Sequence, residues 1–147
     1  MRPKKIILCV DGDVTTLALR RFMLRCHGYR VISALGARRA VLAAQWAAAQ
    51  GIRIDLVVSE LRMAPVDGNE LCRELRGLLP DVPQMLVSRF VKVYPRGICA
   101  DLFLPKSSFT AAELVERVRV MCTRKRGPKK KPAQREILLT FNTRRAA

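Results

Sequence analysis

The sequence predicts an α/β domain, a doubly wound five-stranded parallel sheet, carrying a basic C-terminal tail. Three observations point there. Apolar runs of strand length alternate with longer helix-like stretches, the signature of βα units around a parallel sheet. Half of the residues are hydrophobic but only 5% are aromatic, so a globular core must be built from Leu, Val, Ile and Ala. The 147 residues hold one domain with its own core and a tail, and leave no room for a second.

The strands are read at Ile6 to Val10, Arg30 to Ala34, Ile54 to Ser59, Gln84 to Ser88 and Asp101 to Leu104. Between the first two, Asp13 is placed to cap a helix and Gly28 to stop it in a left-handed conformation. An alanine-rich helix follows from Ala37 to Gln50, ending at Gly51, and a third runs from Asn69 to Arg76, closed by Gly77 and Pro80. In the last helix Leu114, Val115, Val118, Met121 and Cys122 repeat at helical spacing behind a Thr110 to Glu113 capping box. Pro95 and Gly97 interrupt the Arg89 to Ala100 segment, so any helix there is short and irregular.

Charge divides the chain at Cys122, into a domain of residues 1–122 and a tail of residues 123–147. The net charge is +16, and the tail holds nine of the 28 Lys and Arg against one of the 12 acids, Glu136. Its run Arg124, Lys125, Arg126, Gly127, Pro128, Lys129, Lys130, Lys131 buries too little apolar surface to order itself, although Ile137 to Phe141 offers a short element that can dock on the domain. The five cysteines are scattered, odd in number and never spaced as CxxC, which favours reduced thiols over a disulfide framework or a zinc site. His27 is the single histidine, which excludes His-rich metal clusters. The apolar run Ile6 to Val10 stops at Asp11, too short for a signal sequence or a membrane span. A cytoplasmic protein with no membrane association is expected.

Ligands of an open parallel sheet bind beyond the carboxyl ends of its strands, where the strand order reverses. Asp11 follows the first strand, Glu60 the third, Ser88 closes the fourth and Lys106 lies past the fifth. Singly these are a loop acid, a strand end and a solvated lysine, and Asp13 is a helix cap. Together, at equivalent strand ends, they form an acidic pocket of Asp11 and Asp13 with Glu60, Ser88 and Lys106 around it, suited to an anionic group or a divalent cation.

In their order and spacing, Ile7-Leu8-Cys9-Val10-Asp11-Gly12-Asp13, Gly28-Tyr29-Arg30-Val31, Asp55 through Met63, Asp67-Gly68, Leu86-Val87-Ser88 and Phe103-Leu104-Pro105-Lys106 resemble the receiver domain of two-component response regulators, the CheY-like family, over residues 4 to 122. The resemblance implies the flavodoxin-like strand order 2-1-3-4-5 and a phosphoryl group passed from a histidine kinase to an aspartate at the end of the third strand. Glu60 stands at that position. The family's metal-binding acidic pair maps to Asp11 and Gly12, its hydroxyl and lysine to Ser88 and Lys106, and its aromatic switch to Phe103. Ser107 replaces the proline that usually follows the lysine. The Arg89 to Ala100 segment is shorter than the family's by roughly one turn of about 3.6 residues, which alters the partner-binding face.

These departures work against ordinary phosphotransfer. Glu60 is one methylene longer than aspartate, and only Asp11 and Glu60 remain as carboxylates for a magnesium ion (Mg), one fewer than the family uses. The expectation is that Glu60 reaches toward Ser88 and Lys106 and partly imitates a phosphorylated aspartate. A stand-alone, phosphate-independent receiver follows, binding a protein partner, either a histidine kinase or an output protein, without enzymatic turnover. Two alternatives stand beside it. One is a receiver still phosphorylated on Glu60. The other is a nucleic-acid-binding regulator that uses Arg124, Lys125, Arg126, Lys129, Lys130 and Lys131 against the phosphate backbone.

Overall fold

The computed structural model describes residues 3–88, 97–105 and 110–123. Five parallel strands, β1 (Ile6–Asp11), β2 (Arg30–Leu35), β3 (Leu56–Glu60), β4 (Gln84–Val87) and β5 (Leu102–Leu104), are ordered β2-β1-β3-β4-β5. The helices are α1 (Val14–Cys26), α2 (Ala37–Ala49), α3 (Gly68–Leu78) and α4 (Ala111–Thr123). This is the strand order that the resemblance implies.

Strand alternation sorts the core into two faces. Ile7 and Cys9 of β1, with Leu56 and Val58 of β3, pack with Leu17 and Leu24 of α1 and with Leu114, Val118 and Met121 of α4. Leu8, Val10 and Val57 face the other way, onto Ala40, Ala44 and Ala47 of α2 and Leu71 and Leu75 of α3. The alanines of α2 let that helix lie close to the sheet. A smaller cluster of Leu61, Cys72, Leu86, Ile98, Ala100 and Phe103 fills the β4–β5 side.

Local signals set the helix ends. Asp13 caps α1 by accepting the Thr16 N–H at 3.1 Å, and Gly28 takes φ +90° just beyond it. Thr110 caps α4 through the Glu113 N–H at 3.2 Å. The third helix differs from expectation at both ends. It begins at Gly68, because Asp67 is its cap and accepts the Glu70 N–H at 2.8 Å. It also runs through Gly77 to Leu78, since helical φ is open to glycine and nothing crowds that position. The stop comes from Pro80, which pushes the preceding Leu79 out of the helical region to φ −131°, ψ 65°. Strand β3 starts at Leu56 rather than Ile54, and β5 has only three residues. Helix α4 ends at Thr123, one residue past the expected domain boundary. Residues 89–96, Lys106 with its neighbours 107–109, and the tail from Arg124 onward lie outside the described residues, so the readings made on them are not addressed by the fold.

Candidate functional site

β1 is flanked by β2 on one side and β3 on the other, so the strand order reverses at β1 and β3. The last residues of these two strands are Asp11 and Glu60. By alternation Asp11 follows Ile7 and Cys9, and Glu60 follows Leu56 and Val58, so both carboxylates turn to the face that α1 covers. They are almost wholly buried, at 1% and 0% exposure. Buried carboxylates in this position require a countercharge.

Arg20 supplies it. Helix α1 buries Leu17, Arg20 and Leu24 in one stripe, and the guanidinium is aimed at the strand ends. Its Nη1 donates to Asp11 Oδ2 at 2.9 Å and its Nη2 to Glu60 Oε2 at 3.4 Å, with the Arg20 side chain itself 7% exposed. Asp11 Oδ1 accepts the Asp13 backbone N–H at 2.8 Å, which fixes the carboxylate from the loop side. One planar cation thus bridges the two acids through two different nitrogens, a geometry that guanidinium allows and ammonium does not.

The other expected site residues fall as follows. Ser88 is fully buried directly after β4, and its backbone N–H donates to Leu104 O at 3.1 Å. Register pairs Glu60 with Val87, so Ser88 lies one residue past Glu60's partner, level with Leu61. Phe103 is buried in the β4–β5 cluster with Leu86. Asp13 is exposed and its carboxylate serves the helix, accepting from the Thr16 N–H and, at 2.6 Å, from the Thr16 hydroxyl. Glu60 was expected to reach toward Ser88 and Lys106. Lys106 lies outside the described residues, and Arg20, which sequence reasoning passed over, stands against the carboxylate. The signal that could have found Arg20 was a cation within the apolar stripe of α1, since a buried arginine needs a carboxylate partner.

Asp11 and Glu60, the carboxylates expected to share a magnesium ion, here share the Arg20 guanidinium, Gly12 contributes no third acid, and no group of three or more His, Cys, Asp or Glu suited to a metal occurs among the described residues. A Cβ at Gly12 would meet only Met63, at an ordinary 3.6 Å, so the missing acid is not excluded by space.

The sheet thus places two buried carboxylates at its point of strand reversal, in a doubly wound fold. No protein-family model matches the sequence. The receiver domain of the hybrid histidine kinase CckA superposes with a TM-score of 0.66 at 30% identity, covering 80% of this chain and 99% of that one. TrrA from Thermotoga maritima, solved in complex with Mg(2+)-BeF, gives a TM-score of 0.67 at 26% identity, covering 80% and 98%. The response regulator MprA of Mycolicibacterium vanbaalenii is 33% identical over 124 residues, 80% of this chain and 50% of the relative. The sensor kinase CckA of Brucella abortus is 32% identical over 120 residues, 79% of this chain and 12% of the relative. The chain belongs to the response-regulator receiver family of two-component signalling. It spans half or less of the curated relatives named here. No helix among the described residues is long and apolar enough to cross a membrane.

Proposed function

We propose that this receiver holds its signalling conformation without phosphorylation and acts by binding a protein partner, a histidine kinase or an output protein, with no substrate turnover. The observation that carries this reading is the Arg20 guanidinium bridging buried Asp11 and Glu60. Acyl-phosphate formation needs a carboxylate oxygen free to attack in line and a metal to neutralise the developing charge. Here Glu60 Oε2 accepts from Arg20, and a fixed monovalent cation stands between the acids that a metal would share. The protein provides a constant countercharge in place of a ligand whose binding could be switched. The outer side of α1 supports the partner-binding part of the proposal, because Leu19 and Phe22, neighbours at i,i+3, are both exposed there.

The test is intact mass after incubation with magnesium and acetyl phosphate. Wild type is expected to gain no phosphoryl group, whereas a variant combining Arg20→Ala, Glu60→Asp and Gly12→Asp gains one. Modification of wild type that Glu60→Gln abolishes overturns the proposal and makes this a working phosphorelay receiver.

The charge of the tail favours a second reading, in which the domain is a scaffold and the basic segment binds nucleic acid. Removing residues 124–147 separates the two. Retained affinity for a protein partner supports the receiver reading. A salt-sensitive shift of duplex DNA or RNA by the whole chain, lost on truncation, supports the second.

A further inference from the structure

One face of α3 is tied to the irregular segment that leads into β5, and the tie is centred on two cysteines. Asn69, Cys72, Arg73 and Arg76 share that face by helical spacing. Asn69 Nδ2 donates to Gly97 O at 2.8 Å, and its Oδ1 accepts the Cys99 N–H at 2.7 Å. Arg73 Nη2 reaches Gly97 O at 3.3 Å. Arg76 Nη2 donates to Cys99 O at 3.1 Å and to Asp101 Oδ2 at 2.8 Å. The backbone of Cys99 is therefore held from both sides over Cys72, whose own carbonyl is fixed by Gln84 Nε2 at 3.1 Å. Cys72 is buried and Cys99 is half-buried, in one cluster.

We propose that Cys72 and Cys99 form a peroxide-reactive dithiol, in which Cys99 is the thiol oxidised by hydrogen peroxide and Cys72 resolves it into a reversible disulfide tying α3 to the approach to β5. Exposure divides the roles, since the half-buried Cys99 can meet peroxide and the buried Cys72 cannot. Cys72 beside it, with the Arg76 and Arg73 guanidiniums near, holds the Cys99 thiol below its ordinary range. Cys99, with burial, pushes Cys72 upward and keeps it protonated. Cys9, by contrast, is pushed up to about 12 by burial and is inert.

In the first step the Cys99 thiolate attacks one peroxide oxygen, the O–O bond breaks, and Cys99 sulfenic acid and hydroxide form. In the second the Cys72 sulfur attacks the Cys99 sulfur, and the hydroxyl leaves with the Cys72 proton as water. Two thiols are oxidised by two electrons, and one peroxide is reduced to water. A thiol reductant reverses the product.

The reduced full chain, treated with equimolar hydrogen peroxide and then alkylated under denaturing conditions, tests this by non-reducing peptide mapping. The expected result is a Cys72–Cys99 linked peptide lighter by two hydrogens, making up most of the oxidised protein and lost on addition of dithiothreitol. Cys72→Ala is expected to leave Cys99 trapped by dimedone as sulfenic acid, and Cys99→Ser to remove both products. The wild-type map does not depend on either variant folding. Preferential oxidation of the exposed Cys26, or disulfides between chains without the internal link, overturns the proposal.

Discussion

Arg20→Ala is expected to destabilise the domain by about 3–5 kcal/mol, because it leaves Asp11 and Glu60 buried side by side without their shared countercharge. At the size of this domain that is a fall in Tm of roughly 10–20 °C. Arg20→Met, which keeps much of the packed stem, is expected to recover only a minor part. Arg20→Lys should fall between, since an ammonium is a single point charge that cannot span both carboxylates in the fork geometry of a guanidinium. Removing the guanidinium should also open the two carboxylates to a metal: millimolar magnesium is expected to raise the Tm of Arg20→Ala by binding the folded form alone, and to leave wild type unchanged. Thermal melts with and without the metal read both effects. A wild-type Tm for Arg20→Ala, with no response to magnesium, would falsify the bridging role.

Two glycines of α3 are expected to respond to alanine in opposite directions. Gly68 opens the helix beneath the end of β3, and its N–H donates to Leu61 O at 2.8 Å. A Cβ there would be driven into the Glu60 carbonyl oxygen, and would also come within 2.9 Å of Leu86 Cδ2 and 3.0 Å of Leu61 Cα. Two of these three atoms are backbone, so relief requires moving the end of β3 and, with it, the carboxylate that Arg20 holds. Gly68→Ala should therefore cost about 3 kcal/mol, the upper end of ordinary overpacking. Gly77 has open space around it and lies within the helix, so Gly77→Ala should stabilise by about 0.5–1 kcal/mol. Urea unfolding of the two single variants checks the signs. Equal stability of Gly68→Ala and wild type would mean that α3 does not approach β3 as closely as the geometry requires.

Most of the architecture could be read from particular residues before any contact was known. The apolar runs of β1, β3 and β4 are buried along their length or nearly so, as the strands of a sheet covered on both faces must be. Asp13, Gly28 and Thr110 marked helix ends through side-chain oxygens and a left-handed φ, which are local effects that need no tertiary context. Gly77 misled because glycine is permissive rather than helix-ending. It stops a helix only when the chain needs a left-handed residue there, and in α3 the stop comes instead from Pro80 acting on Leu79.

The site was legible in its strand-end residues and illegible in its pairing. Asp11, Glu60 and Ser88 could be placed at the carboxyl edge because each ends, or directly follows, an apolar run, and a parallel sheet brings such ends together. What the carboxylates touch was decided by the packing of α1, which turns position 20 inward and so drives an arginine between them. Cys72 and Cys99 show the same limit. Their spacing matches no redox motif, and only the hydrogen bonds of Asn69 and Arg76 to the Cys99 backbone hold that residue against the face of α3 that carries Cys72. Sequence alone determined the fold class, the strand order by resemblance and the absence of an aspartate at position 60, because periodicity, capping and residue identity act locally. The tertiary structure alone decided that a guanidinium bridges Asp11 and Glu60 and that Cys99 is held against the face of α3 that carries Cys72, because both depend on which groups the packing of a helix against the sheet brings within hydrogen-bond range.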